Sequence, residues 1–263
     1  MTALLRALLA LLLLAAPGLS AHGQPLRIVS EAWAPYVYEE RGQLRGLDYE
    51  ATAIVLQRLG IDAEWQLMPW KRCLAALQQG QADAILDVFQ TAERQAGMLF
   101  PAEPLSEVEF VLFHARARPH PFRRLADLHG LKVGVSAGYW YANRAFREST
   151  AFTREPAPDH AANFGKLLRN RVDLVINDHR AGHYLLSRMN LSEAIGHSPR
   201  VVSRDRLYLG LRRDAELEKL AVRFAEALRR FKGEPAYTAL LERYASPSTT
   251  HATPAPEAEQ PTL

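Results

Sequence analysis

Cysteine is almost missing from this 263-residue sequence: Cys73 stands alone, so no internal disulfide can form and stability has to come from packing. The residue is expected as a buried structural thiol. A strong charge of one sign is missing too. The formal net charge is +3 and the arginines are dispersed, which leaves no electrostatic footprint for a nucleic-acid partner. The locally basic stretch RPHPFRR reads as a short connecting loop. Past the first two dozen residues there is no run of about 18 apolar residues of the kind a membrane-spanning helix needs. From Ser246 onward, SPSTTHATPAPEAEQPTL has no large apolar residue until its last position, so 246–263 is expected to be a disordered tail.

What is present begins with MTALLRALLALLLLAAPGLSAHGQ. Arg6 precedes an apolar stretch from Ala7 to Ala16, followed by Pro17, Gly18 and small residues. That order is expected of a secretory signal peptide over 1–23, cleaved after Ala21 or Gly23. No cysteine lies near either bond, which excludes lipid attachment there. The mature chain is expected to be a soluble, exported protein of the periplasm.

Between these ends strand-like and helix-like segments alternate. LRIVSE reads as a strand, and GLDYEATAIVLQRLG places Leu47, Ala51, Ile54, Val55 and Leu59 on one helical face before a glycine stop. DAEWQLM is strand-like, and PWKRCLAALQQG is a helix opened by proline and closed at Gly80. Ala84–Leu86 is a third strand, expected to break into a polar turn holding Asp87, Thr91 and Arg94. This βαβαβ order implies a parallel sheet covered by helices. After the alternating strand EVEFVLFHAR the pattern restarts with LHGLKVGVSAG, a helix beginning in YWYANRAF, and the helix-strand pair in AANFGKLLRNRVDLVIND. The helix HRAGHYLLSRM, the strand RVVSRDRLYLGLRR and two closing helices follow. The fold class is therefore α/β, with two similar units and a return segment.

Arg94 is the residue of most interest by position, because open α/β sheets bind ligands beyond the carboxyl ends of their strands. By residue type alone, a solvated arginine at a helix start is the default.

The segments WAPY, GLDYE, ALQQGQADAIL, TAERQ followed by FPAEPL, LKVGVSAG, NRVDLVIND and YLGLRRDAELEKLAVRFAEAL, in that order and spacing, resemble the periplasmic solute-binding proteins of the polar amino-acid type, solute-binding protein family 3, which serve ABC importers. The resemblance covers Leu26 to Ala245. It implies two lobes joined by two crossing strands near FVLFHAR and SPRVVSRD, closing on a ligand by a hinge motion. The expected boundaries are 24–113 for the first part of lobe 1, 114–199 for lobe 2, and 200–245 for the return into lobe 1.

It also implies site residues. Arg94, in the T-x-x-R turn with Thr91, matches the arginine that holds a ligand α-carboxylate, and a guanidinium can donate the paired bonds this needs. Trp33 and Tyr36 stand where the family packs an aromatic on the ligand, with core packing open for Tyr36. Trp70 is expected at the cleft wall and Arg72 on a helix surface. Asp178 matches the acid for the ligand ammonium, and a helix-cap role is equally compatible. Gly138 matches a glycine whose neighbouring amides cradle the carboxylate. Tyr139 and Trp140 depart from the small hydroxyl residues usual there and are expected to narrow the second-lobe wall. Asp87 departs as well: its carboxylate suits a cationic group, or pairs with a nearby arginine.

The expected function is capture of an amino acid or related carboxylate and delivery to an ABC importer permease, by a monomer without cofactor, metal or catalytic residues. His179 and His183, four apart on a helix, could share a metal, but the sequence offers no evident third ligand. The alternatives are an enzyme on the same fold, such as a cyclohexadienyl dehydratase using Glu31, Asp87 or Asp178, or a stand-alone sensor.

Overall fold

The computed structural model describes residues 24–245. The expected signal peptide and C-terminal tail lie outside the described residues. The first half is built around the order β4-β1-β5: β1 Leu26–Ser30, β4 Ala63–Leu67 and β5 Ala84–Phe89 are parallel neighbours. The connecting helices are α1 Leu47–Arg58 and α2 Trp70–Gln78. This is the βαβαβ unit that the alternating pattern dictates, because parallel strands need crossovers and helices supply them. A small hairpin, β2 Tyr38–Glu40 and β3 Gln43–Arg45, was not legible in the sequence. A short helix α3, Ala92–Gly97, leads into β6 Met98–Leu99.

The second half repeats the plan. Strands β8 Lys132–Ser136, β9 Thr153–Ala157 and β10 Leu174–Asp178 run parallel in the order β10-β8-β9. They alternate with α4 Arg144–Glu148, α5 His160–Leu168 and α6 His179–Arg188. The helix expected from YWYANRAF begins only at Arg144, where the Asn143 side chain accepts from the Phe146 amide; Tyr139–Ala142 is loop. An Asn at the N-cap fixes the start better than the aromatic residues before it.

Two antiparallel strands link the halves: β7 Glu107–Ala115 and the 18-residue β11 Ile195–Arg212. Their mutual pairing runs from Ile195↔Ala115 to Arg206↔Glu107, and β11 continues into the first half beside β5. The whole sheet reads β4-β1-β5-β11-β7-β10-β8-β9, with β6 added on β11. Phe110–Phe113 pair with β10, so the strand expected to belong to the first lobe up to residue 113 shares its hydrogen bonds with the second. Helices α7 Ala215–Lys232 and α8 Pro235–Ala245 return to pack on the first half, where Phe224, Leu228 and Phe231 join Val55, Leu56 and Leu86 in one core.

Cys73 is fully buried on α2, as expected, and burial pushes its thiol pKa up to about 12. Among the described residues no helix is long and apolar enough to cross a membrane.

A second, aromatic-rich core crosses between the halves. Trp33, Tyr36 and Phe89 from the first pack with Phe110, Tyr141 and Ile176 around the second. The loop carrying Trp33 and Tyr36 is held by the start of α1, whose Leu47 and Asp48 amides donate to the Pro35 and Tyr36 carbonyls. Gly46 permits this approach: its φ is 129°, and an added Cβ would lie 2.2 Å from the Tyr36 carbonyl oxygen.

Candidate ligand-binding cleft

The strand ends of β1 and β5 and the start of α2 face the loop after β8, and a cavity lies between them. Ser30, Glu31, Trp33, Trp70, Asp87 and Phe89 come from the first half, and Tyr139 comes from the second. The space is about 10 Å³, room for about one water. Tyr139 packs against the aromatic residues of the first half. Its ring meets Trp33, Phe89 and Trp70 edge-on, with centroids 5.7, 6.1 and 6.3 Å away.

Asp87 corrects one expectation. It lies inside β5, which continues to Phe89, and the turn begins only after that residue. The strand carries a local irregularity against β11, between Tyr208 and Gly210, and Asp87 has φ 61°. An Asp tolerates this left-handed conformation better than most residues, and the irregularity turns its side chain inward. Its carboxyl group faces that of Asp48, buried in the first turn of α1, within hydrogen-bonding reach. Among the described residues no arginine pairs with it. Neither Asp87 oxygen receives a hydrogen bond from a fixed donor, while Asp48 accepts from the Ser106 hydroxyl at 2.6 Å. Burial raises both pKa values, Asp48 to about 6 and Asp87 well above the ordinary carboxylate range, with the Asp48 charge adding to the rise at Asp87. Sequence reasoning missed Asp48, since an acid in a first helical turn has a routine explanation in the helix dipole.

Arg94 sits one cavity away. Thr91 caps α3 by accepting from the Arg94 amide at 3.1 Å, and the guanidinium donates one bond, to the Phe89 carbonyl at 3.0 Å. The rest of the guanidinium lies over the Trp70 ring, 5.4 Å from its centroid. Burial lowers the Arg94 pKa, and no carboxylate pairs with it among the described residues. Arg94 lines a space of about 260 Å³ with Glu93, Gln78, Met98 and, from the second half, Gly138. Gly138 has φ 81°, so the loop following β8 uses a glycine at the point where it approaches Trp70. Arg72 is exposed, as expected.

Three expected residues have other attachments. Tyr36 is fully buried, and its hydroxyl donates to Asp178 Oδ1 at 3.0 Å. Asp178 also accepts from the Ala181 amide at 2.8 Å, as the N-cap of α6, and from the Glu109 amide at 3.1 Å. Burial raises its pKa. Trp140 does not line the cavity: the Arg147 guanidinium lies 3.7 Å from its ring centroid, a cation–π contact that draws the indole to α4. Of the aromatic pair after Gly138, Tyr139 alone narrows the cleft.

A polar chain runs through the same place. The Tyr139 hydroxyl donates to Glu31 Oε2 at 3.1 Å and lies 3.2 Å from His160 Nε2, whose Nδ1 is 3.3 Å from the Ser136 hydroxyl. His160 stacks on Trp33, with centroids 6.1 Å apart and planes 16° from parallel. Burial raises the Glu31 pKa and lowers that of His160 to about 4. His160 was not singled out from the sequence, because a histidine opening a helix after Asp159 carries no distinct signal.

The comparisons with known proteins agree on the fold. Solved structures with similar folds include a histidine kinase sensor domain with similarity to periplasmic binding proteins, at 20% identity, covering 85% of this chain and 96% of that one with TM-score 0.74. An ancestral amino-acid-binding protein, a precursor of cyclohexadienyl dehydratase, gives 20% identity, 84% and 95% coverage, and TM-score 0.70. An amino-acid ABC transporter substrate-binding protein of Streptococcus pneumoniae bound to L-arginine gives 20% identity, 84% and 94% coverage, and TM-score 0.71. A search of curated protein sequences returned no match. The two-lobe architecture around the cleft is that of periplasmic binding proteins. The sequence itself matches a family model over residues 26–247, and the chain belongs to the bacterial extracellular solute-binding proteins, family 3.

Proposed function

We propose that the protein captures an amino acid or related carboxylate that also carries a cationic group, in the cleft between its lobes, and delivers it to the permease of an ABC importer. The observation that carries this reading is Arg94, a partly buried guanidinium with no carboxylate partner among the described residues. Burying an unpaired charge is costly, and a ligand carboxylate would remove that cost. The cationic part of the reading is supported by Asp87, whose oxygens lack fixed donors beside the rings of Trp33, Trp70 and Phe89. A cation gains from aromatic faces and from a carboxylate together. The L-arginine held by one of the similar proteins has this charge pattern. Tyr139 must swing out of the cleft to admit such a ligand. Export to the periplasm and a monomeric state belong to the same proposal.

A thermal-shift and calorimetric screen of amino acids, their deaminated analogues and simple carboxylates tests it. Cationic amino acids are expected to give the largest upward shifts. No saturable binding by any member of the panel at millimolar concentration rejects the proposal.

The chain Glu31–Tyr139–His160–Ser136 favours a second reading, acid–base catalysis in the cleft. Incubation with prephenate or arogenate separates the two, since turnover identifies a dehydratase. Prephenate carries two carboxylates, which the acidic groups of Glu31 and Asp87 disfavour.

A further inference from the structure

Helix α6 and strand β11 bring three histidines together on the second lobe. His179 and His183, one turn apart on α6, share a helical face. His197, 14 residues further along the chain from His183, comes from β11 and supplies the third imidazole that the sequence did not reveal. One ring nitrogen from each residue lies within 4.8 Å of the other two. The ring centroids are 4.7 to 4.8 Å apart in all three pairs.

We propose that His179, His183 and His197 bind a divalent first-row transition ion that favours imidazole: Zn²⁺, Ni²⁺ or Cu²⁺. The closest pair already has ligand spacing. His183 Nε2 and His197 Nδ1 are 3.1 Å apart, and two nitrogens on a tetrahedral zinc at about 2.0–2.1 Å stand roughly 3.3 Å apart. Without a metal, that contact needs one proton between two nitrogens, and the third ring has no bond to either. An ion satisfies all three nitrogens at once. Solvent would take the fourth position.

The surroundings fit this chemistry. Phe113 on β7 forms an apolar floor, with its ring centroid 5.9 Å from that of His183 and 5.8 Å from that of His197. Gly182 makes room for it, since an added Cβ would lie 2.2 Å from Phe113 Cζ. An open groove of about 400 Å³, bordered by His114, His120 and His197, gives solvent a path to the site. None of the three histidines lines the cleft, so this site is independent of the ligand that the lobes capture.

The test uses tag-free, chelator-stripped protein. Calorimetric titration with Zn²⁺ should give one ion per chain, and Co²⁺ should give the visible absorption of a four-coordinate nitrogen site. His183→Ala and His197→Gln should each weaken Zn²⁺ by at least the roughly tenfold that even an outer-shell partner is worth. His129→Gln, at an exposed position elsewhere, should leave the affinity unchanged. Circular dichroism and melting in chelator check that each variant folds, and His183 is solvent-facing enough for its variant to serve if the β11 change disturbs the strand. Absence of stoichiometric binding overturns the proposal, as does binding that survives both substitutions in folded protein.

Discussion

The Tyr36 hydroxyl of the first lobe donates to the Asp178 carboxylate of the second at 3.0 Å, across 142 residues of sequence. The bond ties the two lobes together. It also occupies the acid that the family resemblance offers to a ligand ammonium. Tyr36→Phe should leave Asp178 capped by the Ala181 and Glu109 amides, yet weaken closure by about 1.5–3 kcal/mol, the worth of a hydrogen bond to a charged group. Small-angle scattering should then show a larger radius of gyration for ligand-free Tyr36→Phe than for the parent. An unchanged curve removes this bond from the control of closure. Asp178→Asn should lower affinity for an amino acid and its deaminated analogue equally, because all three Asp178 bonds are internal.

Arg94 makes a sharper case. Its side chain gives a single bond to the protein, so Arg94→Ala should fold with near-parental stability. Binding of the cognate carboxylate should weaken by about 2–5 kcal/mol, the usual loss when one partner of a buried charge pair is truncated. Arg94→Lys should recover part of this, lacking the paired geometry. Calorimetry decides, and parental affinity in folded Arg94→Ala protein excludes the residue from the site.

The facing acids predict a pH dependence. Both folded-state pKa values lie above the unfolded value of 3.8, so between that value and the folded ones the native state binds more protons. Stability contributed by the protonated pair is full below pH 3.8 and declines as pH rises through about 6 and beyond. Asp87→Asn removes one of the two titrations. It should stabilise the ligand-free protein at pH 8 by on the order of 2 kcal/mol and flatten this decline in denaturant midpoints measured from pH 4 to pH 8. The same variant should weaken a cationic ligand. Parallel stability curves for parent and variant contradict the buried pair.

Tyr139 and Trp140 separate cleanly. Tyr139→Ala should empty the cleft and widen the range of side chains accepted, whereas Trp140→Thr should leave the ligand profile unchanged and cost only the contact with Arg147. A binding panel for both variants checks the pair, and broadened specificity in Trp140→Thr contradicts the assignment.

The α/β plan was legible because each strand and helix carries its own signal: Gly80 stops α2, and Val133 and Val135 alternate with their neighbours in β8. Thr91 and Arg94 were singled out by the family resemblance, and the Thr91 cap on the Arg94 amide is what the structure adds. Residues whose role rests on distant partners were not legible. Asp48 meets Asp87 only because one residue of β5 adopts φ 61°, and nothing in AILDVF announces that reversal. The β2–β3 hairpin has too little apolar patterning to be seen. His197 joins His179 and His183 through sheet register, a property of the β7–β11 ladder rather than of its own neighbourhood.

Cys73 gives the protein a practical property. Its thiol is sealed in the core and its pKa stands at about 12, so almost no thiolate is available to an alkylating dye at neutral pH. A cysteine introduced at exposed Arg72, two residues past the cavity-lining Trp70, would be the one reactive thiol among the described residues. The natural chain is thus ready to become a fluorescent reporter of its own solute with a single substitution and no prior removal of the native cysteine.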